Sequence, residues 1–134
     1  MSALMAALVE HAKAALHNAH APYSHFPVGA AIQSGTGKIY SGCNVENACY
    51  AMCQCAEASA IGNMVTHGDQ KIARLLLISK APQPIFPCGG CLQKIAEFAL
   101  PDTLIISRTL QGEQQQWQFS ELFPLHFDKS FLAL

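Results

Sequence analysis

Charge is scarce in this chain. Asp, Glu, Lys and Arg make up 13% of its 134 residues, 8 basic against 9 acidic, and no basic run gathers anywhere. A nucleic-acid binder needs clustered Lys and Arg to displace the counterions of phosphates, so polymeric nucleic acid is not an expected partner. An apolar stretch near the ~20 residues of a membrane span is also missing, so no membrane partner is expected either. The start, Met1 to Glu10, is apolar but has no basic leader and is soon broken by Glu10, His11 and Lys13. It reads as a helix rather than a secretion signal, and the expected location is cytoplasmic. No repeat or linker divides the chain, which suits a single domain over 1–134. With 51% apolar residues and so little charge, self-association is expected to cover surplus apolar surface.

Periodicity supplies the elements. Leu4, Leu8, Ala12 and Leu16 fall at i, i+4 spacing, predicting an amphipathic helix with Ser2 as N-cap that ends before Pro22. Segments 28–33 and 38–45 flank Ser34-Gly35-Thr36-Gly37 and read as a hairpin. Ala56, Ala60, Ile61, Met64 and Val65 mark the buried stripe of a second helix ending near His67-Gly68. The run Ile72 to Ser79 is nearly continuous in apolar residues, as in a strand buried on both faces. A third helix opens at Gly89-Gly90, turns Cys91, Leu92, Ile95 and Phe98 inward and stops before Pro101; strands follow at 103–107 and, more polar and at an edge, at 114–118. The order α-β-β-α-β-α-β-β-α predicts an α/β fold, a three-layer α/β/α sandwich with a mixed five-stranded sheet.

Cysteine is abundant, with six at 43, 49, 53, 55, 88 and 91. Three disulfides are possible arithmetically, but a reducing cytosol favours thiolates and metal. Cys55, Cys88 and Cys91 sit at helix starts, where free N–H groups and the positive end of the helix dipole stabilise thiolates. Three thiolates fill three corners of a zinc tetrahedron and leave the fourth for water, while Glu57, two residues after Cys55, is placed to move that water's protons without being a ligand. The arrangement suits hydrolytic deamination of an aminopyrimidine or aminopurine ring. A closed structural site of Cys53, Cys55, Cys88 and Cys91 is the rival, and it leaves Glu57 unexplained. Deamination of a base within RNA or DNA is a second rival, lacking any visible basic groove or stacking platform. Cys43 and Cys49 read as small buried fillers.

Cys55-Ala56-Glu57 with Pro87-Cys88-Gly89-Gly90-Cys91 matches the zinc-deaminase signature. The chain resembles the small homotetrameric cytidine deaminases of pyrimidine salvage over nearly its whole length. Segments 22–31 (Pro-Tyr-Ser-His-Phe-Pro-Val-Gly-Ala-Ala) and 42–50 (Gly-Cys-Asn-Val-Glu-Asn-Ala-Cys-Tyr) resemble that family's opening and sugar-binding motifs. The resemblance implies a cytidine-deaminase-like fold, Zn²⁺ as cofactor and a nucleoside substrate, with active sites at subunit interfaces. It implies that Asn44 and Glu46 bind the ribose 3′-hydroxyl, that Phe26 packs against the base, and that the Ala56 N–H binds the ring carbonyl. Tyr50 is implied to line the pocket, and Phe127 to reach a neighbouring subunit's base. Asn44 and Glu46 at i, i+2 would share a strand face, and a carboxamide with a carboxylate suits a hydroxyl.

Two positions depart from that pattern: Ala58 and Leu92 stand where most thiolate-type members carry arginine. Zinc with three thiolates is net −1 before Glu57 is counted. Without the neighbouring cation, the sulfurs keep more electron density and the bound water is less acidic. The departures also leave open a modified cytosine nucleoside or a nucleoside-like antibiotic as substrate. Ala58→Arg is expected to raise neutral-pH activity or lower an alkaline optimum; an unchanged pH–rate profile in the folded variant would count against this electrostatic account.

Overall fold

The computed structural model describes residues 1–132. Helix α1 (Ala3–His17) begins where Ser2 Oγ accepts the Met5 N–H at 3.1 Å, and it buries Leu8, Val9, Ala12 and Leu16. Strands β1 (Val28–Ser34) and β2 (Ile39–Cys43) form the hairpin, with Gly37 at φ 90° in its turn. Helix α2 (Ala56–Thr66) follows, then β3 (Ile72–Ser79), α3 (Gly89–Ala96), β4 (Ala99–Thr109), β5 (Gln114–Gln118) and the short α4 (Phe119–Leu122). Two 3-10 turns, Tyr50–Met52 and Lys129–Leu132, interrupt the connections.

The sheet order is β2-β1-β3-β4-β5, with β3 and β4 parallel and the other neighbours antiparallel. Side chains of a strand alternate between faces. Leu76 and Ile78 accordingly pack with α1, while Leu75 and Leu77 pack with Met64 of α2, Ile95 of α3 and Phe119 of α4. This is the expected three-layer arrangement, with β3 covered on both sides and β5 at an edge.

Three boundaries differ from the sequence reading, each for a local reason. β2 stops at Cys43 because the Asn44 side chain takes over the pairing: its Oδ1 accepts the Val28 N–H and its Nδ2 donates to the Phe26 carbonyl, both at 2.9 Å. Val45 then pairs with Gln54 in an isolated bridge. α3 ends at Ala96 rather than running on through Phe98, because the Phe98 carbonyl accepts the Ile72 N–H and the chain turns into β4. Pro101 lies inside β4, tolerated where the register with β3 shifts and Thr103 Oγ1 bridges Leu100 N and Ile72 O. Burial expectations also fail in places: Val65 is exposed on α2, Cys43 is only half-buried at the end of β2, and Cys49 is exposed where its N–H caps onto Asn47 Oδ1 at the lead into a surface turn.

On each face of the sheet a helix lies hard against it. A Cβ at Gly42 would stand 2.3 Å from Ala60 N and 2.8 Å from Ser59 Cβ, so only glycine lets α2 sit this close to β2. Gly29 does the same for α1, its notional Cβ falling 1.9 Å from Ala12 O. Gly42→Ala should destabilise the fold by about 1–3 kcal/mol, because backbone rather than a pliant side chain must move. Thermal unfolding checks it, and a midpoint equal to the parent's would show that α2 and β2 part freely.

Candidate active site

Two crossovers bring two helix N-termini to one end of the sheet. Cys55 is the N-cap residue of α2 and Cys88 that of α3, and Cys91 lies one turn into α3. Their three Sγ atoms all lie within 4.8 Å of one another. Cys91 is buried, whereas Cys55 and Cys88 are open to solvent. Cys88 Sγ accepts the Cys91 N–H at 3.4 Å, a backbone donor fixed by the turn that both cysteines bracket.

Such crowding leaves the thiols in conflict. Burial pushes the Cys91 thiol far up, reinforced by the Glu57 charge and the Cys55 and Cys88 sulfurs. Cys55 is also raised, chiefly by burial, against a hydrogen bond from Cys91. Burial opposes the thiolate at Cys88 too, but there the Cys91 N–H and the thiols of Cys91 and Cys55 outweigh it and hold the group below its ordinary value. Only a cation lets all three ionise together. Tetrahedral zinc with Zn–S bonds of ~2.3 Å needs sulfurs about 3.8 Å apart, which this cluster can meet with little movement. The donor set therefore fits zinc.

Cys53 is turned away. Its sulfur accepts the Asn47 N–H at 3.3 Å and its thiol faces the Asn47 carbonyl at 3.6 Å, so it stays outside the group that the other three form. Glu57, at the second position of α2, is 5% exposed. Burial raises its carboxyl above the usual range, against its own N–H, the Cys91 thiol and the Lys94 charge. A carboxyl shifted in this direction, beside three sulfurs, is placed to exchange protons with a bound ligand.

Asn44 and Glu46 flank the Val45 bridge, beyond the end of β2 rather than on it. Both reach the same segment. Glu46 Oε1 accepts the N–H groups of Tyr23 and Ser24 at 3.0 Å, and its Oε2 takes the Ser24 hydroxyl in a short contact. The Ser24 hydroxyl is the first cause of a lowered Glu46 carboxyl, followed by the Ser24 N–H. Asn44 ties down Val28 and Phe26, and Ser24 Oγ accepts the Phe26 N–H at 3.0 Å. Both side chains keep spare capacity: Asn44 a second amide N–H and a second Oδ1 lone pair, Glu46 a lone pair on Oε2.

The aromatic candidates are less gathered. Phe26 is partly exposed and Tyr50 is 73% exposed, its ring edge-on to Tyr23 at 5.9 Å. Ala56 is fully buried at the first position of α2, where a helix leaves its N–H without an intrahelical partner. Phe127 stacks on Phe131 at 5.5 Å, and its carbonyl accepts Gln93 Nε2 at 2.8 Å. Gln93 is two residues beyond Cys91, about 200° around the helix. The Phe127 main chain is thus tied to the side of α3 turned away from Cys91. Sequence reasoning assigned nothing to Ser24 or Gln93; Ser24 lies inside the opening motif, while Gln93 carried no signal short of the fold.

Comparison with known proteins agrees with this geometry. A family profile for the cytidine and deoxycytidylate deaminase zinc-binding region matches residues 3–107. A cytidine deaminase of Sporosarcina psychrophila is 37% identical over 94% of this chain and 93% of its own length. The crystal structure of a cytidine deaminase from Burkholderia pseudomallei superposes with a TM-score of 0.87 at 38% identity, covering 95% of this chain and all of the other. A blasticidin-S deaminase of Bacillus cereus is 29% identical over 77% of this chain and 78% of its own. By profile, sequence and fold, with zinc as the metal its sulfurs suit, this chain belongs to the cytidine and deoxycytidylate deaminase family.

Proposed function

We propose that the chain hydrolyses the exocyclic amine of cytidine or deoxycytidine, giving uridine or deoxyuridine and ammonia. The observation that carries this reading is the Cys55, Cys88 and Cys91 cluster with the buried Glu57 beside it. When bound by those three cysteines, zinc supplies the Lewis acidity that makes water nucleophilic near neutral pH. Glu57 takes the water's proton on a carboxylate oxygen and returns it to ring N3. It then carries the second proton to the C4 amine, so that the C4–O bond forms, the C4–N bond breaks and ammonia leaves. Burial suits Glu57 to this two-way role, because a carboxyl nearer neutrality both accepts and gives protons readily.

The remaining groups orient the substrate. Asn44 and Glu46 hold the ribose 3′-hydroxyl with their unused donor and acceptors, Phe26 packs on the base, and the Ala56 N–H binds the ring carbonyl. Tyr50 lines the pocket. Phe127 completes the pocket of a neighbouring copy in a homotetramer; the tie of its main chain to the side of α3 turned away from Cys91 supports that assignment. The low charge and the exposed Tyr50, Met52, Phe127 and Phe131 support assembly. Pyrimidine salvage in the cytoplasm is the setting this substrate implies, without nucleic-acid or membrane partners; among the described residues, no helix is long and apolar enough to cross a bilayer. A modified cytosine nucleoside or nucleoside-like antibiotic is the second reading, favoured by the Bacillus cereus relative.

An absorbance assay of the zinc-loaded protein across cytidine, deoxycytidine, cytosine and N4-modified analogues tests the substrate. Glu57→Gln should retain fold and zinc and lose about 10³-fold or more in turnover; near-normal rates would remove Glu57 from the mechanism. Cys53→Ala should keep one zinc per chain by elemental analysis, and loss of the metal would instead indicate a closed four-cysteine site.

A further inference from the structure

Residues 124–130 arch over a cavity of about 580 Å³ lined by Lys71, Gln93, Leu100, Phe119, Phe123 and Phe127. Much of what else holds this segment lies within it or on Phe123 just before it, with His126 also edge-on to Phe119 of α4 at 5.6 Å. His126 Nδ1 meets the Phe123 carbonyl at 2.8 Å, the His126 ring stacks on Phe123 at 5.0 Å, and Asp128 caps Ser130. Among the described residues, the hydrogen bond that ties residues 124–132 to the sheet or its helices is the one from Gln93 Nε2 to the Phe127 carbonyl. It spans 34 positions of sequence and starts on α3, two residues after the metal-ligating Cys91.

From this geometry we infer that Gln93 is a positioning residue for the substrate: its amide locks the main chain of Phe127 to the metal-bearing helix and so sets where the Phe127 ring projects. The inference rests on the reading that Phe127 lines a nucleoside pocket. A ring on a segment spanning a cavity has a wide arc open to it. One N–H···O bond at its own carbonyl narrows that arc by fixing the Phe127 main chain to α3 of its own chain, so the ring is presented to the neighbouring copy's pocket from a fixed base. Gln93 touches neither substrate nor zinc in this role, so it should alter substrate affinity and leave the chemical step alone.

Gln93→Met keeps length, shape and helix preference and deletes the donor. A net hydrogen bond of this kind corresponds to about a threefold to tenfold change. KM for cytidine should rise by that factor with kcat within about twofold and zinc content unchanged. Phe127→Ala should raise KM as well, and the double variant should be no worse than Phe127→Ala alone, because both act through one ring. Gln93→Lys, which retains a donor, should stay near the parent, whereas Gln93→Glu, which sets a carboxylate against the carbonyl, should resemble Gln93→Met. That charged pair gives the same answer should the methionine variant fold poorly. An unchanged KM in Gln93→Met beside a raised KM in Phe127→Ala overturns the Gln93 assignment alone, as do effects that multiply in the double variant. An unchanged KM in Phe127→Ala overturns the pocket reading, and the inference with it.

Discussion

Three sulfurs held within 4.8 Å are the constraint on which the rest of this structure depends. Thiolates repel at that distance, and two of the three groups are driven away from ionisation by burial. The fold holds them there all the same, because each of two helices begins at the same end of the sheet with a cysteine as its first capping residue. Glycine at 42 lets one of those helices lie against β2, and the strand β3, covered on both faces, supplies a rigid floor for the other. A divalent ion relieves the repulsion, so cofactor and scaffold stabilise one another.

Much of this was legible in the residues. Cys55-Ala56-Glu57 and Pro87-Cys88-Gly89-Gly90-Cys91 announce through their spacing the three-sulfur cluster and the acidic side chain near it, since one turn of helix brings Cys91 back under Cys88. Apolar periodicity was equally readable in α1 and β3, where one environment dominates each face. It failed where a side chain replaces a main-chain partner. Asn44 ends β2 by taking the bonds the strand would have made, and Thr103 permits a proline inside β4; neither exchange leaves a trace in hydropathy. Phe127 illustrates a different gap, because its carbonyl is held by Gln93, 34 positions away, and no local pattern announces that pairing.

The sheet also divides labour between its faces. Helix α1 and its cluster around Leu8, Leu76 and Ile106 lie on the side away from the helices that carry the sulfurs. That layer contributes burial and no chemistry. The opposite layer contains both, so side chains such as Ala60 and Ile95 pack the core while their own helices aim the ligands.

Segment 23–28 is braced by Asn44 and Glu46 through the bonds to Tyr23, Ser24, Phe26 and Val28. The same two side chains are the proposed sugar grip, which makes the receptor's shape independent of its guest. A nucleoside arriving there meets walls already standing, with little conformational entropy left to surrender on contact. Recognition of this sort behaves as lock rather than glove: it favours ligands that match a preset contour and gives the loop scant freedom to remould itself around a bulkier one.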